Sequence, residues 1–391
     1  MAMSNLKEHA TREVRVCIVY RVVQQWRAPI FRRLSEIEGW DLKVFFGCDF
    51  PGTKVVSGDG PFGFDAKKLT SIPVRLRAGT DGNVAMPLSV GLPLALARFK
   101  PDVIICEGAS NLLNNILIYC YAVISRVPVV QWGLGEIRGR KKSRARLATE
   151  WLVRAMERRA AAVISYSSFG AAYYERIGVE RSRIVTAVNV VDTDARKLEL
   201  EKLSGCRIER PPGFHILFVG ALEKPKRVDV LLETFARLEQ EVVNCYLTIV
   251  GKGGESEALE SYARELGLRN VRFTGQVTAG VSEIFLSADV FVMPGLGGLA
   301  VSDALVHGLP VICGVGDGSE ADLVESGRNG YWDADLGVEK LYAYLRELAD
   351  KPQLLQEMKV NASRTIEKFN TGSYVEGIRR AVEIAVARGG H

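Results

Sequence analysis

The residues best equipped for chemistry lie in the second half of the chain, in glycine-rich segments separated by apolar runs. Phe218-Val-Gly-Ala-Leu-Glu-Lys-Pro-Lys-Arg-Val-Asp-Val-Leu-Leu231 passes from a strand-like stretch through a glycine turn into a basic loop and then a helical pattern. A loop of this build sets Lys224, Lys226 and Arg227 where a diphosphate can lie, because cations and helix-start amides both attract phosphate. Ala288 to Ile312 reads as a buried strand, a loop with glycine at 295, 297 and 298, and a helix stopped by Gly308 with Pro310 soon after. Gly297 and Gly298 let the backbone approach a ligand closely, and the helix that follows aims its free amides and positive dipole end at it. The result is an anion site. Ile249-Val-Gly-Lys-Gly-Gly-Glu255 adds a third turn, weak alone because G-x-G also opens dinucleotide-binding folds.

Two series of strand and helix signals must position these loops. In the first half, Val14–Tyr20, Leu42–Phe46, Pro101–Cys106, Val127–Trp132, Ala161–Ser165 and Ile184–Val188 are β-branched runs. Helical spacing between them, as at Ile30–Ile37, predicts a parallel sheet covered by helices. Charge and then Arg210-Pro-Pro-Gly mark a linker over 196–213. The second series has strands at His215–Val219, Tyr246–Val250, Val271–Thr274, Val290–Met293 and Pro310–Cys313, with helices at Val228–Leu238, Ser256–Leu266, Val281–Ala288 and Val301–His307. The expected fold class is α/β, two doubly wound halves facing a cleft, with ligands beyond the carboxyl ends of the strands.

Taken in order, these segments resemble the donor half of family-4 glycosyltransferases of the GT-B fold, the kind that builds bacterial surface polysaccharide and glycolipid. Gly220 and Lys226 fit that family's G-R-L-x-x-x-K-G segment, whose Arg and Lys hold the departing diphosphate; Ala221 stands in place of the Arg and Arg227 in place of the final Gly. The resemblance thus implies Lys226 and Arg227 as catalytic cations. It sets the backbone of Gly275, Gln276 and Val277 against the nucleotide base, and Gly297, Gly298, Leu299 and Ala300 against the donor. Of the family's two acids flanking this loop, the second, a ribose contact, is Asp303; the first, a sugar contact, is replaced by Gly295. Gly316-Asp-Gly-Ser-Glu320 resembles the family's next glycine-acid stretch and implies Glu320 near the donor's sugar and phosphates.

The first half resembles the family less. Asn189-Val-Val-Asp192 fits the N-x-x-D that ends the family's first domain, and the loop Tyr20–Pro29 lies where acceptors bind, implying Arg27 as an acceptor or phosphate contact. At Trp132-Gly-Leu-Gly-Glu136 the family often carries a His; Leu134 stands there, leaving Glu136 as the polar acceptor-side candidate. The implied layout is an acceptor-binding domain over 1–195, a linker over 196–213, a donor domain over 214–370 and a helix over 371–391 that crosses back. The implied reaction is metal-independent transfer of a hexose-type sugar from a nucleotide diphosphate-sugar to a lipid-linked or membrane-borne glycan, with retained configuration and no cofactor. Each residue has a plainer alternative: a solvated basic loop for Lys226, a helix-start acid for Asp303 and Glu320, a surface arginine for Arg27.

Charge separates the halves. Residues 1–195 hold 28 Lys and Arg against 18 Asp and Glu, the remainder 23 against 28, so the first half is drawn to phosphate or an anionic membrane. Arg138 to Arg159 concentrates nine bases, with Leu147, Trp151, Ala155 and Met156 near one helical face; a membrane-surface contact and a helix packed on the sheet both fit. No nucleic-acid platform is found. Leu112–Ile124 is too short to span and reads as a buried helix. Met1–Glu13 lacks a secretory apolar run, and the seven scattered cysteines form no C-x-x-C pair, so a cytoplasmic, reducing location is expected, peripheral on the inner membrane face if the basic helix binds there. Asp192-Thr-Asp194 and Asp333-Ala-Asp335 are set aside as metal sites, since one ends a domain and the other lies past the donor segments. The competing readings are a GT-B sugar-nucleotide epimerase, a sugar-nucleotide-binding protein without turnover and, less well supported because no complete G-x-G-x-x-G follows Val14–Tyr20, a nicotinamide dehydrogenase.

Overall fold

The computed structural model describes residues 13–50, 56–58, 60–77, 83–137, 144–208, 210–277 and 279–389. The first half supplies strands β1 (Val14–Tyr20), β2 (Trp40–Phe46), β3 (Ala66–Lys68), β4 (Ile72–Arg77), β5 (Asn83–Leu88), β6 (Val103–Glu107), β7 (Val129–Gly133), β8 (Ala162–Ser165) and β9 (Ile184–Thr186). Seven of them form one parallel sheet in the order β3-β2-β1-β6-β7-β8-β9, and β4 and β5 form a separate antiparallel hairpin. Burial on both faces explains why β1 reads as an unbroken apolar run. Val16, Ile18 and Tyr20 belong to the core on one side, while Cys17 and Val19 join Leu92, Leu96, Ile118 and Ala122 on the other.

The second half supplies β10 (Phe214–Val219), β11 (Cys245–Val250), β12 (Val271–Gly275), β13 (Val290–Met293), β14 (Val311–Cys313) and β15 (Gly330–Trp332), all parallel, in the order β12-β11-β10-β13-β14-β15. Both sheets reverse strand order beside their first strand, at β1/β6 and β10/β13, which makes two switch points for ligands.

Three expectations change. The stretch read as linker begins as a helix, Thr193–Leu203, with Asp192 capping it by accepting from the Ala195 amide at 3.1 Å. Its charged pattern hid it, because its partners are polar. The linker's end is also pinned, since Arg210 grips Asp289 of the second half at 3.0 and 3.1 Å. Helix Leu112–Ser125 is buried on one face only. Its Asn115 side chain donates to the Glu107 carbonyl at 2.8 Å, and its far end leaves Val123 and Ile124 74% and 83% exposed. The hairpin and β15 were not foreseen. Each triplet set aside as a metal site has a structural use: Asp194 pairs with Arg33, and Asp333 takes Lys340 and the Asp335 amide.

The final helix, Thr371–Gly389, crosses back and packs on β8 and β9 and on helix Ala28–Ser35. Thr371 and Thr193 exchange amide-to-hydroxyl hydrogen bonds at 2.9 and 3.0 Å, and Gly377 passes so close to Ala187 that a Cβ would sit 2.7 Å from its methyl. Deeper in, the Tyr374 hydroxyl accepts from Arg27 at 2.6 Å inside a wholly buried cluster. Tyr374→Phe removes the nearest acceptor of a buried guanidinium, so a loss of about 1–3 kcal/mol is expected; urea unfolding followed by tryptophan fluorescence checks it, and an unchanged midpoint would refute it.

Candidate functional site

At the β10/β13 switch point two loops meet through their main chains. The Leu296 amide donates to the Pro225 carbonyl at 2.8 Å. A Cβ on Gly295 would stand 2.2 Å from that same carbonyl oxygen and 2.7 Å from the Lys226 carbonyl carbon. Position 295, where the sequence resemblance expects an acid, therefore faces the backbone of the basic loop and has no room for a side chain. Gly251 behaves alike one strand over, where a Cβ would fall 1.8 Å from the Gly220 carbonyl oxygen.

This packing holds Lys226. Its Nζ donates to the Leu296 carbonyl and, at 3.4 Å, to that of Gly297, so the cation lies across the glycine loop that leads into helix Leu299–Val306. Gly298 precedes that helix with φ of 154°, and Leu299 and Ala300 carry first-turn amides that a helix leaves to external partners. Gly275, Gln276 and Val277 leave the end of β12 beside this region, and the Gly275 carbonyl accepts from the Gly251 amide at 2.9 Å. The structure brings together Gly220, Lys226, Gly297, Gly298, Leu299 and Ala300.

Other expected residues are occupied elsewhere. Arg227, in the left-handed conformation at φ 53°, sends its guanidinium to the Leu336 carbonyl at 2.7 Å, so it anchors the loop beyond β15. Glu320 is 2% exposed and closes its own loop, its two oxygens accepting from the Gly316 and Gly318 amides at 2.7 and 2.8 Å. Burial raises its pKa above the ordinary carboxyl value against the pull of those amides. Gly316 lies against Gly297, so Glu320 shapes the glycine loop from behind. Asp303, expected at the ribose, is 8% exposed and takes Arg196 in a two-pronged ion pair at 2.9 and 3.1 Å. That pair extends through Glu199 and Ser282 to His307, whose pKa burial lowers.

In the first half the acceptor expectation for Arg27 fails on burial, since the residue is 1% exposed. Its guanidinium donates to Tyr374, Tyr166 and Asn189 and lies 4.5 and 5.1 Å from the ring centres of Trp26 and Trp132. Aromatic faces and phenol oxygens stabilise this buried cation. Glu136 pairs with Arg176 and lines a cavity of about 440 Å³ with Arg154, Arg158 and Tyr173. Of the basic stretch, residues 138–143 lie outside the described residues. Helix Arg144–Arg159 packs Val153 and Met156 against Met86 and Leu112, while Leu147 and Trp151 stay exposed.

Two features escaped the sequence. At the β1/β6 switch point Glu107 accepts from the Arg21 amide and guanidinium, at 3.0 and 2.8 Å, and from Ser110 at 2.8 Å; an acid ending an apolar strand beside the switch point was the available signal. Across the cleft, the Ser168 amide donates to Asp322 at 2.7 Å, which no sequence spacing reveals.

Residues 209–365 match the family described as glycosyl transferases group 1. A phosphatidyl-myo-inositol mannosyltransferase of Mycobacterium leprae is 27% identical over 241 residues, 53% of this chain and 61% of that one. The lipopolysaccharide core biosynthesis glycosyltransferase LpsD of Rhizobium meliloti is 35% identical over 165 residues, 37% of this chain and 45% of that one. The chain spans about half the length of the curated relatives it matches. Among solved structures, Anabaena HepE in complex with UDP superposes with a TM-score of 0.69 at 17% identity, covering 95% of this chain and 99% of that one. The lipopolysaccharide outer core galactosyltransferase WaaB gives 0.70 at 15% identity, with 95% and 99% covered. These likenesses show that the fold is GT-B.

Gly295→Ala is expected to cost about 1–3 kcal/mol through overpacking against Pro225. Gly297→Ala, whose nearest Cβ contact is 3.6 Å from Val301, serves as the tolerated control in the same urea titration; equal stability of the two variants would refute the packing argument.

Proposed function

We propose that this chain, built around a group 1 glycosyltransferase domain, moves a hexose-type sugar from a nucleotide diphosphate-sugar to a lipid-linked or membrane-borne glycan acceptor. The observation that carries the reading is Lys226 lying across the glycine loop at the start of helix Leu299–Val306. A cation and helix-start amides together take up the charge that grows on the departing phosphate when the anomeric bond breaks. Neither group needs a metal or cofactor. Retention of anomeric configuration is carried over from the family-4 resemblance. In this reading Gly275, Gln276 and Val277 border the base, Gly297 to Ala300 the phosphates, and Glu320 holds the loop from behind; a ribose role for Asp303 requires it to part from Arg196.

The named relatives act on phosphatidyl-myo-inositol and in lipopolysaccharide core assembly, which supports a lipid-borne acceptor here. The helix layer on the outer face of the first domain supports a peripheral place on an anionic membrane, on its cytoplasmic side. Val90, Leu94, Val123, Ile124, Leu147 and Trp151 are exposed on the first domain, within the basic half of the chain. No helix among the described residues is long and apolar enough to cross a membrane. A sugar-nucleotide-binding protein without turnover is the second reading, favoured by Gly295 and Ala221 standing where the family has an acid and a base.

Thermal unfolding with a panel of nucleoside diphosphates and their sugars tests the donor site. A ligand at a hundred times its Kd stabilises by about 2.7 kcal/mol, and Lys226→Ala should abolish the shift. No shift with any member of the panel would refute the donor site, and binding without any release of nucleotide diphosphate in the presence of membrane extract would select the second reading.

A further inference from the structure

A second basic site lies at the opposite end of the first domain from the cleft. Around the amino-terminal ends of β1, β6 and β7 opens a cavity of about 590 Å³, lined by Arg15, Lys100, Asp102, Tyr121, Arg126 and the last turn of the crossing helix at Val386 and Gly389, among others. Its charged lining is three cations and one acid. The acid is already engaged, since Asp102 accepts from the Arg15 amide at 2.9 Å and from its guanidinium at 3.5 Å. Lys100 and Arg126 form no ion pair or side-chain hydrogen bond among the described residues, and both are exposed. Each ends a helix in the left-handed conformation, at φ 52° and 55°, where glycine is the unstrained choice. The attraction of cations to a helix carboxyl end explains one such residue. Here the two helices pack on each other, which brings both cations to one cavity.

We infer that this cavity binds a phosphate ester, and that the ester is the headgroup of an anionic lipid. Two cations with no ion-pair partner among the described residues, beside an apolar lining of Ala97, Pro101, Val127 and Pro128, suit a small anion with a carbon backbone, and the volume exceeds what a bare phosphate fills. The lipid source follows from what borders the mouth. Val123 and Ile124 stand just before Arg126 in the chain and Leu94 lies one to two turns before Lys100, all exposed, so acyl chains have apolar side chains beside the place where the phosphate sits. This part rests on the membrane reading given above; phosphate recognition by Lys100 and Arg126 does not.

The test uses the full chain, sn-glycerol 3-phosphate as soluble probe, and phosphatidylcholine vesicles with and without phosphatidic acid. Lys100→Glu with Arg126→Glu is compared with Lys67→Glu with Arg181→Glu, an equal change of charge at exposed positions of the same domain outside both the cavity and the basic helix; Lys100→Gln with Arg126→Gln stands in if the first pair unfolds. Loss of glycerol phosphate affinity by about tenfold in the cavity variants alone is expected, as is cosedimentation with phosphatidic acid vesicles that falls further in them than in the control. Equal glycerol phosphate binding in all variants, or none in the unaltered chain, would overturn the site whatever the vesicles do. Glycerol phosphate binding that depends on Lys100 and Arg126, with no vesicle binding at all, would keep the site and overturn the membrane source.

Discussion

Two stretches of main chain at the β10/β13 junction approach more closely than any side chain allows, and the candidate donor site is built on that approach. With hydrogen in place of Cβ at Gly295, the Pro225 carbonyl reaches the Leu296 amide and the Lys226 ammonium reaches the carbonyls beyond it. Any residue with a side chain there would push the basic loop away from the glycine loop and take the cation with it. Glycine at 295 and the position of the Lys226 ammonium are thus two sides of one packing arrangement. A carboxylate at 295 would also stand close to Lys226 and neutralise part of the charge that a phosphate needs.

The polar groups between the domains obey a different logic from those beneath them. Ser168 with Asp322 and the Val191 amide with Ser302 at 3.0 Å join one half of the chain to the other. Groups of this kind exchange protein partners for water at small net cost, so such ties set a geometry without welding it. Arg27, by contrast, has no water to fall back on. Its contacts with Tyr166, Asn189 and Tyr374 fasten the crossing helix to the first domain as firmly as the core does.

Legibility in the sequence followed burial. β1 is read to the residue and β6, β7, β8 and β10 to within two, because a strand covered on both faces is a continuous apolar run. β4 is half-exposed at Ile72 and carries Pro73, and β15 is three residues long, so neither has a pattern to read. Helix Thr193–Leu203 buries only Thr193 along its length and works through Arg196 and Glu199, residues that look like solvated charge. The candidate site divides in the same way. Backbone-built parts, the glycine turns and the helix start, were legible because glycine spacing encodes them directly. Side-chain roles were not: Arg27 and Asp303 carry the right chemistry, but their partners lie 347 and 107 residues away in sequence, and only the fold decides whether a charge faces a ligand or another residue.

These ties also locate where the halves can move. The helix Pro352–Lys368 packs on helix Leu299–Val306 of the second domain, whereas Thr371–Gly389 packs on the first. The chain therefore changes allegiance at Phe369 and Asn370, next to the Thr193–Thr371 exchange. The other crossing comes just before Thr193, because helix Thr193–Leu203 packs on helices Val281–Leu286 and Leu299–Val306 of the second domain, so both crossings meet at the threonine pair. With both crossings at the buried threonine pair, a rotation that opened the cleft would turn about it, and the Ser168–Asp322 bond is one of the ties between halves that it would break.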